Sequence, residues 1–254
     1  MSNKICMITG ATAGIGKATA RLFAQEGYDL IITGRREARL KELKEELEKI
    51  NSINVLTLAF DVRNKAKVNE AIEGLNARWQ KIDVLLNNAG LAKGFSDIQD
   101  GDIEDWEIMI DTNIKGLLYV SRAIMPLMIK NKTGQIVNIG SIAGKEVYAK
   151  GNVYCSTKYA VEAITKAMRM DLLPHKIKVS AVCPGAVETE FSEVRFEGDK
   201  SRAKSVYDGY QPLKPEDIAE AVLFVCSRPS HVNINDLLIM PTAQANTSNL
   251  LREE

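Results

Sequence analysis

A tyrosine and a lysine four residues apart are the side chains best placed to do chemistry. Tyr154 and Lys158 form a Y-x-x-x-K pattern at the start of an amphipathic segment, and positions i and i+4 share one face of a helix. A free phenol has a pKa of about 10, and an adjacent ammonium ion lowers that pKa. The pair is therefore predicted to perform general acid/base catalysis on a hydroxyl or carbonyl group.

A serine at the end of a predicted strand extends this arrangement. Ser141 follows the predicted strand Gln135–Ile139, where its hydroxyl can hydrogen-bond the oxygen of a substrate. The Y-x-x-x-K pattern is common on ordinary helices, where it reflects only core and surface positions. Its place after a serine-bearing strand, in a chain that opens with a glycine-rich turn, is what favours catalysis.

The glycine-rich turn, Thr9–Gly16, separates the predicted strand Lys4–Thr9 from the predicted helix Lys17–Glu26. Small residues at a helix N-terminus let backbone N–H groups approach a pyrophosphate closely. The spacing G-x-x-x-G-x-G differs from the common G-x-G-x-x-G, so the strand–turn–helix context carries the prediction of a dinucleotide site. The residues expected to contact the cofactor here are Gly10, Thr12, Gly14, Ile15 and Gly16.

Two arginines after the second predicted strand indicate which dinucleotide binds. An NAD-binding protein carries an acidic residue roughly 20 residues past the last glycine, where it binds the ribose 2′-hydroxyl. This chain has Arg35 and Arg36 in that region, and two guanidinium groups suit a 2′-phosphate. NADP is therefore the predicted cofactor. The alternative is a pair of helix-start arginines that face water.

Polar and small residues also follow the third and fourth predicted strands. Asp61 and Val62 end the third strand, where a polar side chain and a backbone group can hold adenine. Asn88, Ala89 and Gly90 end the fourth, which places an amide and two small residues beside the cofactor's ribose.

The predicted catalytic and cofactor-binding residues can form one site only in a fold that brings the ends of several strands together. Short apolar strands alternate with longer amphipathic helices, which predicts one α/β domain over residues 1–254: a Rossmann-like, doubly wound parallel sheet with helices on both faces. Ligands of such sheets bind at the carboxyl ends of the strands. The predicted strands are Lys4–Thr9, Asp29–Thr33, Val55–Phe60, Val84–Leu86, Gln135–Ile139, Lys178–Cys183 and Leu237–Met240.

One long stretch without a regular pattern, about 185–213, is predicted to be a substrate loop. A loop of this length in a compact domain is usually a functional lid or a disordered segment. Arg195 stands in it between Val194 and Phe196. A guanidinium in apolar company can hold a carboxylate through two hydrogen bonds, although an ordinary solvated or ion-paired arginine is an equal alternative.

Composition excludes several classes of partner. The 254 residues contain 33 basic and 33 acidic side chains, so no overall basic field gathers nucleic acid or anionic lipid. No apolar run approaches membrane-spanning length, and the first strand leaves no room for a signal peptide, so a reducing cytoplasm is expected. The four cysteines are scattered without metal-ligand spacing, which predicts buried hydrophobes and no metal site.

The ordered set of motifs resembles the short-chain dehydrogenase/reductase family. It consists of Thr9–Gly16, Asn87–Gly90, Asn113, Ser141, Tyr154 with Lys158, and Pro184 with Gly185. The resemblance implies hydride transfer between nicotinamide C4 and a substrate carbon, without a metal. It makes Tyr154 the general acid/base and Ser141 the group that polarises the substrate oxygen. Lys158 would hold the nicotinamide ribose and lower the pKa of Tyr154, and Asn113 would hold a proton-relaying water.

The same resemblance implies further cofactor contacts at Pro184, Gly185, Val187 and Thr189. It also implies a homotetramer, built partly on the helix Ile114–Lys130 and on the helix after Tyr154. Simple packing against the sheet would explain one apolar face of each helix. One departure from many NADP-using relatives is the lack of a basic residue inside the glycine turn, which leaves the 2′-phosphate to the two arginines.

A narrower resemblance concerns the substrate. Five segments are similar to the NADP-dependent 3-hydroxy acid dehydrogenases, which are also described as serine or L-allo-threonine dehydrogenases: Asn88–Ala92, Asp105–Asn113, Gly151–Tyr154, Glu190–Phe196 and His231–Asn235. This implies a short 3-hydroxy acid as the small-molecule substrate. A reductase of 3-oxoacyl thioesters or small ketones remains an alternative, as does a non-catalytic NADP-binding regulator.

Overall fold

Parallel strands at the centre of the molecule account for the short apolar runs. A computed structural model describes residues 3–253, and its strands agree with the predicted ones to within two residues at either end. Within that range the strands are β1 (Ile5–Ile8), β2 (Asp29–Gly34), β3 (Val55–Ala59), β4 (Ile82–Asn87), β5 (Gln135–Ile139), β6 (Lys178–Pro184) and β7 (Asp236–Ile239).

Amphipathic helices follow most of the strands. In the second helix Leu40, Leu43 and Leu47 are buried at helical spacing, while its lysines and glutamates face solvent or lie at the rim. The helices described are α1 (Gly14–Gln25), α2 (Glu37–Ile50), α3 (Lys65–Glu73), α4 (Ile103–Ile110), α5 (Leu117–Asn131), α6 (Asn152–Asp171), α7 (Glu190–Arg195), α8 (Lys200–Ser205) and α9 (Pro215–Cys226).

The strands form one sheet in the order β3-β2-β1-β4-β5-β6-β7, and every neighbouring pair is parallel. β1 pairs with β2 on one side and with β4 on the other, so the direction of winding reverses beside β1. Ligands of open α/β sheets bind in the crevice at such a switch point. The predicted doubly wound, Rossmann-like α/β fold is confirmed.

Two apolar layers cover the sheet. Along β1 the side chains alternate, so that Cys6 and Ile8 join one layer and Ile5 and Met7 join the other. The first layer contains α1, α2 and α9, and the second contains α3, α5 and α6. Across residues 3–253 every helix is too short or too polar to span a lipid bilayer.

A buried polar network fixes α6 against the sheet. The Asn87 amide donates to Asn138 Oδ1 at 2.8 Å and to Ser121 Oγ at 2.9 Å. The Asn138 amide in turn donates to Thr165 Oγ1 on α6 at 2.8 Å. These bonds join β4, β5, α5 and α6 in the core, where an unpaired amide would destabilise the fold. Their effect is to hold the helix that carries Tyr154 at one height along β5.

The expectation of an irregular loop over 185–213 is wrong for part of its length. Both α7 and α8 lie inside it, and the side chains of Thr189 and Asp199 cap their N-termini. Helices of six residues are too short to show a hydrophobic period in the sequence. We call the segment 189–205, which contains both helices, the lid.

Two helix boundaries also differ from the prediction. α1 begins at Gly14 and not at Lys17, so the last two glycines of the turn belong to its first turn. The helix predicted over Ile114–Lys130 begins inside a π-helical segment, Asp111–Gly116, which joins α4 to α5. Both differences lie beside the site and shape it.

Candidate active site

A cleft of about 740 Å³ runs along the carboxyl ends of β1 to β6 and passes beneath the lid. Parallel topology brings these strand ends to one edge of the sheet. The predicted site residues that line the cleft are Gly10, Thr12, Gly14, Ile15, Arg35, Arg36, Asp61, Val62, Asn88, Ala89, Gly90, Ser141, Tyr154, Lys158, Pro184, Gly185, Val187, Thr189 and Arg195. The other two, Gly16 and Asn113, are buried behind its wall.

Three glycines give the turn after β1 the shape of a phosphate cradle. Gly10 and Gly14 have φ angles of +67° and +51°, in the left-handed region that favours glycine. A Cβ at Gly16 would lie 2.5 Å from the Gly10 carbonyl oxygen and from the Asn88 amide nitrogen. Because α1 begins at Gly14, its unpaired N–H groups and its positive end lie at the cleft. The turn therefore fits a pyrophosphate group.

Thr9 and Asn88 fasten this cradle to the neighbouring strand. The Asn88 amide donates to the carbonyl oxygens of Thr9 at 2.9 Å and Gly10 at 3.2 Å. Thr9 Oγ1 accepts hydrogen bonds from the N–H groups of Asn88 and Ala89, both at 3.0 Å. The Asn88 side chain thus shapes the cradle itself, while Ala89 leaves room along the floor of the cleft.

The two arginines after β2 differ in what they contact. Arg36 donates from Nε and Nη2 to Thr12 Oγ1 at 3.1 and 2.8 Å, and from Nη1 to Glu190 Oε2 at 2.9 Å. Arg35 lines the same part of the cleft and forms no ion pair within residues 3–253. The unpaired guanidinium of Arg35 lies beside that of Arg36, which the Thr12 hydroxyl holds in place. Two such groups fit a phosphate on the cofactor's ribose.

Asp61 and Val62 lie where the sequence predicts an adenine contact. The Asp61 carboxylate accepts hydrogen bonds from the Arg63 guanidinium at distances from 2.7 to 3.1 Å. Burial acts to raise the pKa of Asp61, but these bonds outweigh it and hold that pKa below its usual range. Val62 packs tightly on Gly116, where a Cβ would lie 2.7 Å from Val62 Cγ2.

Tyr154 lies at the inner end of the cleft and is 9% exposed. Burial raises the pKa of its phenol above the ordinary value and Tyr148 adds to the rise, while Ser141 and Arg195 act in the opposite direction. Desolvation outweighs the nearby groups in this structure, so the net shift of this pKa is upward. The predicted lowering of the Tyr154 pKa by Lys158 stays a prediction. At neutral pH Tyr154 is a protonated phenol that can donate.

Lys158 is buried one helical turn further along α6. Its Nζ donates to the Ile139 carbonyl oxygen at 2.9 Å and lies 6.0 Å from the centre of the Tyr154 ring. Burial lowers the pKa of Lys158 to about 8, and Cys183 acts weakly against that change. A lysine ammonium has three N–H bonds, so with one held by Ile139 the others can bind ribose hydroxyls.

Ser141 is held in place by the turn that follows β5. Its Oγ accepts a hydrogen bond from the Ala143 N–H at 3.1 Å and caps the short helical turn Ile142–Gly144. The hydroxyl hydrogen is then available to a substrate oxygen beside Tyr154. This geometry agrees with the predicted role of Ser141 in orienting the substrate.

Asn113 stands in the π-helical segment. Its amide donates to the Leu91 carbonyl oxygen at 2.8 Å and to Thr157 Oγ1 at 3.0 Å, and its Oδ1 accepts from the Leu91 N–H at 2.9 Å. Both amide N–H bonds are engaged, so the side chain ties the segment after β4 to α6. A water bound at Asn113 would need the main-chain carbonyl, in a segment where the regular helical bonding is interrupted.

Arg195 enters a cage of three aromatic rings. Its guanidinium carbon lies 4.7, 5.4 and 5.8 Å from the ring centres of Phe95, Tyr148 and Tyr154. Nη1 donates to the Tyr148 hydroxyl at 2.9 Å, and Nε is buried with no hydrogen-bond partner among the described residues. A buried unpaired donor beside Tyr154 suits an anionic group on a bound molecule.

Sequence reasoning missed the aromatic wall and the C-terminal segment. Phe95 and Tyr148 carry no pattern that separates them from core aromatics, yet they surround Arg195. Four residues near the C-terminus also line the cleft: Gln244, Thr247, Leu250 and Arg252. Gln244 accepts from the Ala186 N–H at 2.9 Å, and Arg252 donates to main-chain carbonyls just after the lid. That segment has no periodicity that predicts such contacts.

A network of charges joins the turn after Ser141 to α6. Lys145 Nζ donates to Glu162 at 2.7 Å and also to the carboxylate of Asp236, and the Cys183 thiol donates to Glu162 at 3.3 Å. The ligand atoms of Glu162, Cys183 and Asp236 lie within 4.8 Å of one another. This spacing could hold a metal ion, but the Lys145 ammonium already lies between the two carboxylates and pairs with both.

Comparison with known proteins identifies the class. The sequence profile described as short chain dehydrogenase matches residues 4–200. The chain therefore belongs to the short-chain dehydrogenase family, and the resemblance inferred from its motifs is confirmed. It is also 48% identical over 242 residues to the NADP-dependent 3-hydroxy acid dehydrogenase YdfG of Salmonella typhi, covering 95% of this chain and 96% of that protein.

Two further relatives extend the similarity along the whole chain. The NADP-dependent 3-hydroxy acid dehydrogenase of Schizosaccharomyces pombe is 42% identical over 255 residues, which cover 100% of this chain and 98% of that protein. A structure described as the closed form of serine dehydrogenase complexed with NADP+ superimposes with a TM-score of 0.91 at 45% identity. It covers 98% of this chain and 100% of the other. The similarity thus extends beyond the cradle to the lid.

The low pKa of Lys158 predicts a gain in stability with rising pH. Burial lowers this pKa from 10.5 to about 8 in the folded protein, so between these values the unfolded chain binds more protons. The free energy of unfolding should therefore rise across that interval, by an amount on the order of 3 kcal/mol.

Urea unfolding of the unmodified protein and of Lys158→Met, from neutral pH to about pH 10, measures this effect. We expect the methionine variant to be the more stable at neutral pH and the difference to shrink as pH rises. Lys41→Met, on the exposed face of α2, serves as the control. A constant difference between the proteins at all pH values would contradict a buried ammonium.

Proposed function

We propose that the protein is an NADP-dependent oxidoreductase that interconverts a short 3-hydroxy acid and its 3-oxo form. The observation that carries the proposal is one continuous cleft, with the glycine cradle and Arg35 at one end and Tyr154, Ser141 and Lys158 at the other. Support also comes from relatives 48% and 42% identical that are described as NADP-dependent 3-hydroxy acid dehydrogenases.

In the reductive direction, a nicotinamide cofactor held by the glycine cradle, Arg35 and Lys158 would supply the hydride that the substrate carbonyl carbon accepts. Tyr154, protonated because it is buried, donates its proton to the carbonyl oxygen. Ser141 donates a hydrogen bond to the same oxygen and stabilises the negative charge that develops there. The Lys158 ammonium stabilises the phenolate that remains. Asn113 serves proton return through its main-chain carbonyl, because its side chain is fully engaged as a donor.

Arg195 is the group we propose for the carboxylate of the substrate. Among the described residues that line the cleft, the acidic ones are Asp61 and Glu190, and they pair with arginines at the cofactor end. The substrate end therefore has the positive charges of Lys158 and Arg195 and no carboxylate among its described lining residues. That field favours an anionic substrate, and the guanidinium of Arg195, which lines the cleft, can donate hydrogen bonds to it.

We also propose a homotetramer in the cytoplasm. Leu118 on α5 and Tyr159 and Met170 on α6 are apolar side chains with exposures of 40%, 42% and 69%, and burial against other copies would stabilise an assembly. The free cysteines suit a reducing compartment. Light scattering of the purified protein measures its mass, and a stable monomer would contradict the assembly.

Replacing Tyr154 with Phe removes the proton donor and keeps the ring that packs against Phe191. General acid/base groups contribute roughly 10²–10⁴-fold to the rate, so we expect kcat to fall by a factor of at least about 10². NADPH binding, followed by fluorescence titration, should change little. Near-normal turnover in a correctly folded Tyr154→Phe variant would contradict the mechanism.

Replacing Arg35 and Arg36 together with alanine should weaken NADPH binding by about tenfold or more, because charge-assisted hydrogen bonds to the phosphate are lost. NADH binding should change much less. Of the single variants, Arg35→Ala should cost more, since Arg36 is already partly engaged by Glu190. An unmodified enzyme that prefers NADH, or a double variant with unchanged preference, would show the assignment to be wrong.

Replacing Arg195 with alanine should lower kcat/KM for 3-hydroxypropionate, serine and allo-threonine by about tenfold. An uncharged short alcohol should be affected little. Arg202→Ala provides a matched control, because Arg202 is a lid arginine that stacks on Phe196 and should not separate charged from uncharged substrates. Equal losses on both substrate types with Arg195→Ala would point to lid folding and exclude a carboxylate contact.

A further inference from the structure

One acidic side chain crosses the cofactor end of the cleft. Glu190, the first residue of α7, places its carboxylate oxygens 2.9 Å from Arg36 Nη1 and 2.8 Å from Arg39 Nη1. Burial acts to raise the pKa of Glu190, but the two guanidinium groups outweigh it and hold that pKa below its usual range. The carboxylate is therefore ionised at neutral pH.

One of the two cations bound by this carboxylate also contacts the glycine-rich turn. Arg36 donates from Nε and Nη2 to Thr12 Oγ1, and its remaining terminal nitrogen, Nη1, donates to Glu190. A phosphate that binds between Arg35 and Arg36 would approach two guanidinium groups, and one of them, that of Arg36, is already paired with the Glu190 carboxylate. Like charges at such distances repel, and sharing a cation weakens each ion pair.

We propose that Glu190 sets the affinity for the cofactor's 2′-phosphate by competing with that phosphate for Arg36. This rests on the NADP dependence proposed above. The competition lowers the affinity for NADP+ and NADPH and leaves NAD+ unaffected, because NAD+ carries an uncharged hydroxyl at that position. Glu190 is thus a specificity-determining residue that acts against the cofactor the site prefers.

The second arginine explains how the lid stays in place. Arg39 donates to Glu190 through its own Nη1. The carboxylate can therefore stay paired with Arg39 when Arg36 leaves it to bind a phosphate. The same end of α7 carries Phe191, which packs edge-on against Tyr154 with ring centres 5.6 Å apart, so the anchor also helps to hold this ring contact. Thr189, just before α7, lies over the cradle, 3.2 Å from where a Gly14 Cβ would stand.

Isothermal titration of the full-length protein with NADP+, NAD+ and 2′,5′-ADP tests this role without relying on turnover. Half-exposed ion pairs contribute up to about 1 kcal/mol, so Glu190→Gln should bind NADP+ and 2′,5′-ADP about two- to fivefold more tightly. The affinity for NAD+ should not change. Glu193→Gln removes the same charge from an exposed position on the same helix and should leave all three affinities unchanged.

A double-mutant cycle identifies the cation involved. If Glu190 competes for Arg36, then Glu190→Gln should give little or no gain in NADP+ affinity when Arg36 is already alanine. Unchanged or weaker NADP+ binding by Glu190→Gln overturns the proposal, and so does an equal gain for NAD+. If the glutamine variant does not fold, Glu190→Asp shortens the side chain and should tighten NADP+ binding in the same direction. A protein that binds NAD+ more tightly than NADP+ before any substitution refutes the proposed function instead.

Discussion

The ammonium of Lys158 is the interaction on which the rest of the site depends, because it is buried with the Ile139 carbonyl oxygen as its protein acceptor. An incompletely paired buried charge destabilises a fold, and the pKa of about 8 reflects that cost. The fold must therefore hold α6 very close to the end of β5. A Cβ at Gly144 would lie 2.7 Å from the Lys158 carbonyl oxygen, so only glycine permits this approach.

The same burial shifts the pKa values of the two proposed catalytic groups in opposite directions. It raises the pKa of the Tyr154 phenol and lowers that of the Lys158 ammonium, since each neutral form is favoured away from water. Environments that separate two such pKa values are typical of sites that divide acid and base roles. The aromatic cage around Arg195 belongs to the same arrangement, because it excludes water from the phenol and brings a second cation near it.

Periodicity and strand ends were sufficient to predict a parallel sheet and the edge at which the cleft lies, but not the order of the strands within it. Tyr154 and Ser141 could be predicted as site residues because one lies in the first turn of α6 and the other just beyond the end of β5. The π-helical segment at Asn113, the short lid helices and the C-terminal residues on the cleft could not be predicted. These depend on tertiary contacts, such as the Arg252 bonds to carbonyls after the lid, and have no periodic signature. The upward shift of the Tyr154 pKa could not be predicted either, because a sequence pattern shows neighbouring charges and not desolvation.

Charge is distributed along the cleft in an order that suits the chemistry, although the whole chain has a formal net charge of zero. Arginines stand at the cofactor end with Glu190 among them, and Lys158 and Arg195 stand at the other end without a neighbouring carboxylate among the lining residues described. Hydride transfer to a carbonyl develops negative charge on its oxygen, close to Tyr154. Cations fixed beside that oxygen stabilise the transition state more than the uncharged carbonyl. An acidic side chain of the protein at this end of the cleft would oppose that stabilisation, and the acidic lining residues, Asp61 and Glu190, lie instead at the cofactor end.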